Sequence, residues 1–317
     1  MKIKFWGVRG SIPTPISGAI VEDKIRAALS MAKPGDISSP EAVESYIRTL
    51  PFSVRSTYGG NSTCIEVVTD TSDEIIIDAG SGIRNLGREL MKGDFGKGRG
   101  LGYIFLTHTH WDHIQGVPFF LPFYIKGNCF NIFSPFDDIK ERLDYQQVPT
   151  HFPVTLDYMP AEKKFYRLEH EEEFVLNNTR IINKRMPHPG GAFGYRLEEN
   201  GKVFVYTTDC EFNIDHIDLI DTYREFFLNA DVAVFDTQYT FEESIDKMDY
   251  GHSSASIAID IAVKFNIKRL ILFHHDPDYN DIKLDNVLAN ARTYMSFNRH
   301  VGKLRVDIAH EGLEIDL

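Results

Sequence analysis

Cysteine is scarce in this chain of 317 residues, which contains only Cys64, Cys129 and Cys210. These three lie far apart and form no C-x-x-C pair, which argues against a disulfide framework and favours a reducing compartment. No stretch approaches the roughly eighteen consecutive apolar residues of a membrane span. The first seven residues, MKIKFWG, also lack the apolar run of a signal peptide. These absences predict a cytoplasmic protein with no membrane partner.

Basic residues are in the minority, because 34 lysines and arginines face 46 aspartates and glutamates, and the formal net charge is −12 with histidine neutral. An acidic surface repels phosphates, so the composition disfavours non-specific binding of nucleic acid. Bound divalent ions would still make a site locally positive and attract a small anionic substrate. The length could hold two average domains, but large layered α/β folds often form one, and we expect a single domain over residues 1–317.

Strand and helix patterns cover most of the chain. Apolar alternation or short apolar runs predict strands, whereas apolar spacing of three or four residues predicts helices. Residues 19–50 interrupt the β pattern with helical spacing, and Ser39 followed by Pro40 is typical of a helix start. We therefore predict a helical insertion there, and a second β-rich half that begins near Phe165. Strands are predicted at residues 2–7, 63–68, 74–78, 102–107, 129–133, 179–186, 193–197, 203–207, 233–236 and 269–273, and helices at 83–91, 137–145, 214–227, 254–265 and 284–295.

The densest group of chemically active side chains is THTHWDH at residues 107–113, directly after the apolar run GYIFL. Side chains alternate across an extended segment, so His108 and His110 point the same way. The turn that must follow can bring Asp112 and His113 round from the other side. Nitrogen and oxygen ligands in this number suit one or two zinc-like ions. A solvated His-rich loop or tag is the alternative, but tags lie at termini and do not follow a buried strand.

His-x-His-x-Asp-His after a strand resembles the signature of the metallo-β-lactamase superfamily of hydrolases. Further segments resemble its phosphodiesterase-like branch, in the same order: FWGVRGSIP at 5–13, YGGNSTC at 58–64, IDAGSG at 77–82, PHP at 187–189, TTD at 207–209, GHSS at 251–254 and LFHHDP at 272–277. No single segment is decisive, but together they are highly specific. The resemblance implies an α/β (α+β) fold arranged as a four-layer αββα sandwich. The apolar pattern alone supports only a mixed fold with two sheets.

The resemblance also implies two divalent metal ions, with zinc the first choice and manganese or iron as alternatives. One ion would be held by His108, His110, His188 and Asp209, and the other by Asp112, His113, Asp209 and His274. Asp209 would then bridge the two ions. His274 is preferred to its neighbour His275, because adjacent residues of an extended strand cannot both face one point. His275 and Asp276 could instead orient a ligand imidazole.

Two residues are candidates for catalysis. His252 lies in a Gly-His-Ser segment before a predicted helix, where related phosphodiesterases carry a histidine beside the scissile bond. It could protonate the leaving group or contact the phosphate, and a helix-capping neighbour without chemistry is the alternative. Asp112 is the second candidate, in addition to its expected role as a ligand.

Four other residues are expected near the site. Asp78 follows a predicted strand and could accept a hydrogen bond from a ligand histidine. Asn61 and Ser11 belong to Gly-containing loops, where they could touch substrate or only form turns. Trp111, inside the metal motif, is expected to pack against the floor of the site.

The superfamily fold hosts β-lactamases, thioesterases, flavoproteins, ribonucleases and small-molecule phosphodiesterases, so it does not name a substrate. Transfer-RNA 3′-end endonucleases usually carry a basic arm between the third His motif and the bridging Asp. Here only residues 189–208 separate His188 from Asp209, and a β-hairpin fills them. We therefore predict a metal-dependent phosphodiesterase acting on a small phosphodiester or cyclic phosphate. A transfer-RNA 3′-processing endoribonuclease is the first alternative, and a metal-binding regulatory protein without catalysis is the second.

The insertion at residues 19–50 also predicts a contact. Its apolar face is too large to remain exposed on a soluble monomer. It could form a lid over the site or the interface of a homodimer, and the second is preferred because the family core is complete without it. The face consists of Ile20, Ile25, Leu29, Val43, Ile47 and Leu50.

Overall fold

The computed structural model describes residues 1–213, 217–297 and 304–317, in which the strands form two seven-stranded mixed sheets. The first sheet has the order β14-β1-β2-β3-β4-β5-β6, where these strands are Glu314–Asp316, Lys2–Gly7, Cys64–Val68, Glu74–Ile77, Leu101–Phe105, Cys129–Ser134 and Glu162–Arg167. The second has the order β13-β12-β11-β10-β9-β8-β7, where these strands are Arg305–Ile308, Arg269–Phe273, Val232–Asp236, Lys202–Thr207, Ala192–Glu199, Thr179–Met186 and Glu173–Leu176.

Both sheets change from antiparallel to parallel pairing. In the first sheet β3, β4, β5 and β6 are parallel neighbours, and in the second sheet β10, β11, β12 and β13 are. Parallel strands are covered on both faces, which explains why β4, β11 and β12 are almost continuous apolar runs. Their carboxyl ends lie at one edge of each sheet, so the residues that follow them are brought together.

Three apolar clusters define the layers. The middle cluster lies between the sheets and includes Phe105 of β4 and Phe204 of β10. A second cluster packs the outer face of the first sheet against helices, through residues such as Leu86 and Phe130. The third packs the second sheet against helices, through residues such as Phe235 and Ile259. The order helix, sheet, sheet, helix is the predicted four-layer αββα sandwich, which is confirmed.

The described helices lie outside the two sheets or in the connections. None of them is long and apolar enough to cross a membrane. They are α1 (Gly18–Met31), α2 (Pro40–Thr49), α3 (Phe52–Arg55), α4 (Ile83–Leu90), α5 (Trp111–Ile114), α6 (Ile139–Gln146), α7 (Ile217–Ile220), α8 (Arg224–Phe227), α9 (Phe241–Asp246), α10 (Ala255–Lys264) and α11 (Asp281–Phe297).

The insertion is helical, as the sequence predicts. It consists of α1, a short 3-10 turn at Pro34–Ile37, and α2. The Ser39 hydroxyl accepts a hydrogen bond from the Ala42 amide at 3.2 Å, so Ser39 caps α2. The insertion is tied to α11 by the ion pair between Lys24 and Asp281, at 2.6 Å. Neither α1 nor α2 contains a buried residue. Of the predicted apolar face, Ile20, Ile25, Leu29 and Ile47 are exposed, whereas Leu50 is buried.

Two sequence-based boundaries are wrong. Phe165 does not begin the second sheet, because it lies in β6 and pairs with Ile132 of the first sheet. The helix predicted at residues 214–227 is not continuous. Its first three residues lie outside the described part of the chain, and the remainder is α7 and α8 separated by a 3-10 turn at Asp221–Tyr223.

Candidate metal centre

The predicted ligands lie beyond the carboxyl ends of strands from both sheets. β4 leads into the metal motif of residues 107–113, β8 ends shortly before His188, β10 ends shortly before Asp209, and β12 ends directly before His274. Residues at the carboxyl ends of neighbouring strands form the usual ligand-binding edge of layered α/β folds. The fold therefore gathers residues that are far apart in the sequence.

Two groups of side chains have ligand atoms within 4.8 Å of one another. One group is His108, His110, His188 and Asp209, and the other is Asp112, His113, Asp209 and His274. These are the two sets that the sequence predicts. The first group is open to solvent at His110, whereas every member of the second group is buried.

Asp209 lies between the two groups with one carboxylate oxygen toward each. Its Oδ2 is 3.5 Å from Nε2 of His108 and 3.8 Å from Nε2 of His188. Its Oδ1 is 3.1 Å from Nε2 of His113 and 3.1 Å from Nε2 of His274. Burial alone would raise the pKa of Asp209, but the surrounding histidines outweigh it and hold the pKa well below its usual range. The carboxylate is thus ionised and placed to bridge two cations.

The unpaired nitrogens of the cluster fit metal ions. Among the described residues, Nε2 of His108 and Nε2 of His113 are enclosed and have no hydrogen-bond partner. A buried unpaired polar atom is costly and calls for a missing partner. Burial, followed by the charge of His113, lowers the pKa of His108 to about 3, so this imidazole is a neutral donor. The nitrogen and oxygen donors suit zinc, manganese or iron.

Hydrogen bonds to Nδ1 orient three of the imidazoles. Nδ1 of His113 donates to Asp78 at 2.9 Å, as expected from the sequence. Nδ1 of His188 donates to the Gly251 carbonyl at 2.9 Å, and Nδ1 of His274 donates to the Gln238 side-chain oxygen at 3.1 Å. Each bond leaves Nε2 free to face the cluster.

The structure brings His274, and not His275, to the cluster. His274 has a left-handed backbone, with φ of 62°, and this turn directs its ring toward Asp112, whose Oδ2 lies 3.1 Å from Nε2. A Cβ at residue 10 would lie 2.6 Å from the His274 ring, so the close approach requires Gly10. The ring of His275 points elsewhere and donates to the Ala309 carbonyl at 2.8 Å. Within the described part of the chain it makes no hydrogen bond to a candidate ligand imidazole, contrary to the sequence-based expectation.

His252 lies beside both groups. Its ring centroid is 5.5 Å from that of His188 and 5.1 Å from that of His274. Burial alone would lower the pKa of His252. The Asp236 carboxylate lies 2.7 Å from Nδ1. Together with more distant carboxylates it outweighs the effect of burial and raises the pKa of His252 to about 9. His252 is therefore protonated at neutral pH.

Sequence reasoning missed Asp236, which holds His252. Its carboxylate also accepts hydrogen bonds from the amides of Cys210, at 3.1 Å, and Gln238, at 3.0 Å. One signal could have found it, because Asp236 ends the buried strand β11 just as the other site residues follow theirs. Asp236, His252 and His274 form a third group whose ligand atoms lie within 4.8 Å of one another.

The remaining predicted residues differ in outcome. The Ser11 amide donates to Asp112 at 2.8 Å, so this loop does reach the site. The Asn61 amide and side chain donate to Glu311 at 2.7 and 3.0 Å, so Asn61 ties its loop to the segment before β14. Trp111 is 82% exposed, so the expectation that it packs against the floor of the site is wrong.

Residues 73–275 match the family model of the β-lactamase superfamily domain. The chain belongs to the β-lactamase superfamily. This confirms the family that the motifs predict.

Relatives within the superfamily include ribonucleases. The chain is similar to ribonuclease Z of Picrophilus torridus, with 28% identity over 228 residues that cover 57% of this chain and 71% of the relative. It is also similar to ribonuclease Z of Thermoplasma acidophilum, with 28% identity over 238 residues that cover 60% of this chain and 73% of the relative.

Solved structures share the fold. The metallo-β-lactamase fold protein YhfI of Bacillus subtilis superposes with a TM-score of 0.65 and 17% identity, covering 99% of this chain and 98% of that one. The short form of human tRNase Z superposes with a TM-score of 0.61 and 16% identity, covering 100% of this chain and 99% of that one. A diphosphatase of the PhnP family superposes with a TM-score of 0.58 and 16% identity, covering 100% of this chain and 97% of that one. At this identity the likeness establishes the fold alone.

Proposed function

We propose that this superfamily member hydrolyses phosphodiester bonds with two divalent ions held around Asp209. The observation that carries the proposal is the position of Asp209, whose two oxygens face separate groups of histidines, with His252 beside both. When bound, a pair of divalent ions lowers the pKa of water and stabilises negative charge at phosphorus.

Two residues of the chain would act on the reacting groups. His252 is protonated, and its Nδ1 is occupied by Asp236, so Nε2 is the atom that donates a proton to the leaving oxygen. The pKa of Asp112 is held well below its usual range by His113, which outweighs burial, so this side chain is a carboxylate. It accepts a hydrogen bond from the Ser11 amide, and it would accept another from the attacking water.

Two substrate classes follow from different observations. The relatives named ribonuclease Z favour processing of transfer-RNA 3′ ends, and they support it better than the small phosphodiester that the sequence predicts. A specific feature favours the small substrate: between His188 and Asp209 the chain forms only the hairpin of β9 and β10, with no added arm. The net charge of −12 agrees with that reading.

An assay of metal-reconstituted protein tests both classes. Precursor transfer RNA with a 3′ trailer, cyclic nucleotides and bis-p-nitrophenyl phosphate should be compared with zinc and with manganese. Asp209→Ala serves as the matched inactive variant, and it should lose at least one ion. Hydrolysis of no phosphodiester by protein that holds two ions would refute the proposal and favour a metal-binding regulatory protein.

We also infer that the insertion joins two copies of the chain and that the protein acts in the cytoplasm. Ile25 is 54% exposed and Leu29 is 66% exposed on the same helix, so the described residues of one copy leave this apolar face uncovered. Ile25→Glu with Leu29→Glu should convert a dimer to a monomer in sedimentation velocity. A monomeric unmodified protein would contradict the dimer. The three cysteines are free, as expected in a reducing compartment.

A further inference from the structure

A cleft of about 1180 Å³ lies beside the candidate metal centre, and the chemistry proposed above does not use it. One wall is the metal motif, which contributes Thr109 and Trp111. The other wall is helix α6 and the turn after it, which contribute Arg142, Tyr145 and His151. The cleft therefore begins at the residues that adjoin the candidate ligands.

Two large aromatic rings of this cleft are uncovered. Trp111 is 82% exposed and Tyr145 is 70% exposed. Trp111 stands between His110 and Asp112 in the chain, so its Cα is about 3.8 Å from the Cα atoms of two candidate ligands. Tryptophan is highly buried on average, and both rings gain stability when a flat apolar surface covers them. Their position points to a planar group held next to the reacting centre.

The wall opposite Trp111 is held in place before any ligand binds. Arg142 donates to the Thr109 hydroxyl at 3.0 Å, and its guanidinium lies 4.2 Å above the ring of Phe136. The ring of Tyr145 meets that of His151 edge-on, with 5.7 Å between centroids. The bond from Arg142 to Thr109 connects α6 to the metal motif, and the two ring contacts fix Arg142 and Tyr145. A pre-formed wall of this kind lowers the entropy cost of binding.

We propose that this cleft binds the nucleobase of a phosphodiester whose phosphate lies at the candidate metal centre, by stacking on Trp111 and Tyr145. This inference rests on the proposed function and narrows its substrates to nucleotide diesters, which include RNA and cyclic nucleotides alike. Every base has a stacking face, so the cleft accepts different bases with small preferences. Diesters of simple alcohols lack this contact.

Trp111 fluorescence tests the stacking directly. The chain has 2 tryptophans, Trp6 and Trp111, so Trp6→Phe leaves Trp111 as the only one. Adenosine monophosphate should quench the emission of this metal-reconstituted variant in a saturable way. Ribose 5-phosphate, which carries the same phosphate without a base, should not. Equal responses to the two compounds, or no response to either, would overturn the proposal.

Kinetics provide a second test with matched substrates. Thymidine 5′-(p-nitrophenyl phosphate) and methyl p-nitrophenyl phosphate share a leaving group and differ in the nucleoside. Trp111→Ala should lower the preference for the thymidine diester by about 5- to 100-fold, mainly through KM. Tyr145→Ala should act in the same direction, and Trp111→Phe should keep most of the preference. Tyr158→Ala is the matched control, because Tyr158 is 74% exposed and lies outside the cleft.

The outcomes separate this inference from the proposed function. Saturable quenching by adenosine monophosphate, with neither diester hydrolysed, would refute the phosphodiesterase and leave the base site standing. Hydrolysis of both diesters at ratios that Trp111→Ala and Tyr145→Ala do not change would overturn the base site and leave the phosphodiesterase standing.

Discussion

Replacing the adjacent residues His274 and His275 separately by alanine tests the assignment of the last metal ligand. The two side chains are both buried and differ by one position, so each variant is the control for the other. His274 offers Nε2 to Asp112 and Asp209, at 3.1 Å in both cases. His275 makes its ring contacts with Ala309 and Tyr58. We expect loss of metal in the first variant and retention of metal in the second.

The sizes of the two effects follow from these contacts. His274→Ala removes one of the four side chains of the buried group, so ion content should fall from about two per chain toward one. His275→Ala leaves the buried Ala309 carbonyl unpaired, which costs about 1–3 kcal/mol, and it opens a cavity beside Tyr58. The free energy of unfolding should therefore fall by roughly 2–5 kcal/mol in total, with both ions still bound.

Elemental analysis after gel filtration measures the ions, and thermal unfolding monitored by circular dichroism measures stability. Both variants should be compared with the unmodified protein at one temperature and pH. The reasoning is refuted if folded His275→Ala protein loses an ion while His274→Ala keeps both. In that case the last ligand would be His275, and the left-handed turn at His274 would have another purpose.

Two further predictions concern Asp78, which orients the ligand His113, and His252, the candidate proton donor. Asp78→Asn should weaken metal binding by about 10- to 100-fold in chelator competition, because His113 loses a charged acceptor. Asp73→Asn, a change at a buried aspartate bonded to Thr69 and Asn177, is the matched control, and equal affinities in the two variants would remove Asp78 from this role. His252→Ala should slow a diester with a poor leaving group more than a p-nitrophenyl diester, with both ions retained. The donating form of His252 is protonated, so activity on the poor leaving group should decline as pH rises through the raised pKa of about 9. Equal losses on both diesters would indicate a phosphate contact.

Most of the candidate site could be predicted because its residues follow strands that the sequence shows clearly. β4, β8, β10 and β12 are apolar or alternating segments, and the metal motif, His188, Asp209 and His274 come directly or shortly after them. Asp236 obeys the same rule at the end of β11. Sequence reasoning missed it because no histidine stands beside it in the chain, and its partner His252 is brought there only by the fold.

The errors in the predicted fold arose where a strand pairs with another strand that is distant in the sequence. Phe165 has the pattern of a strand, but only its parallel pairing with Ile132 shows that β6 completes the first sheet. The opposite edge of this sheet is β14, in which Asp316 pairs with Lys2 of β1, far away in the sequence. Local pattern predicts that a strand exists, whereas its neighbours depend on tertiary packing.

The geometry of the site also includes backbone strain that propensity could not predict. Asp78, Asp209 and His274 have left-handed backbones, with φ of 62°, 48° and 62°, although none of them is glycine. Each such residue costs on the order of 1–3 kcal/mol and persists only when its surroundings hold it. Thr107 donates to Asp78 at 2.8 Å, and Gln238 accepts from His274 at 3.1 Å. Because all three lie just beyond strand ends, a single turned residue swings each side chain from the strand direction toward the cluster. The strained residues are two candidate ligands and one residue that orients a ligand. The fold therefore holds these side chains at the cluster at the cost of an unfavourable local backbone conformation.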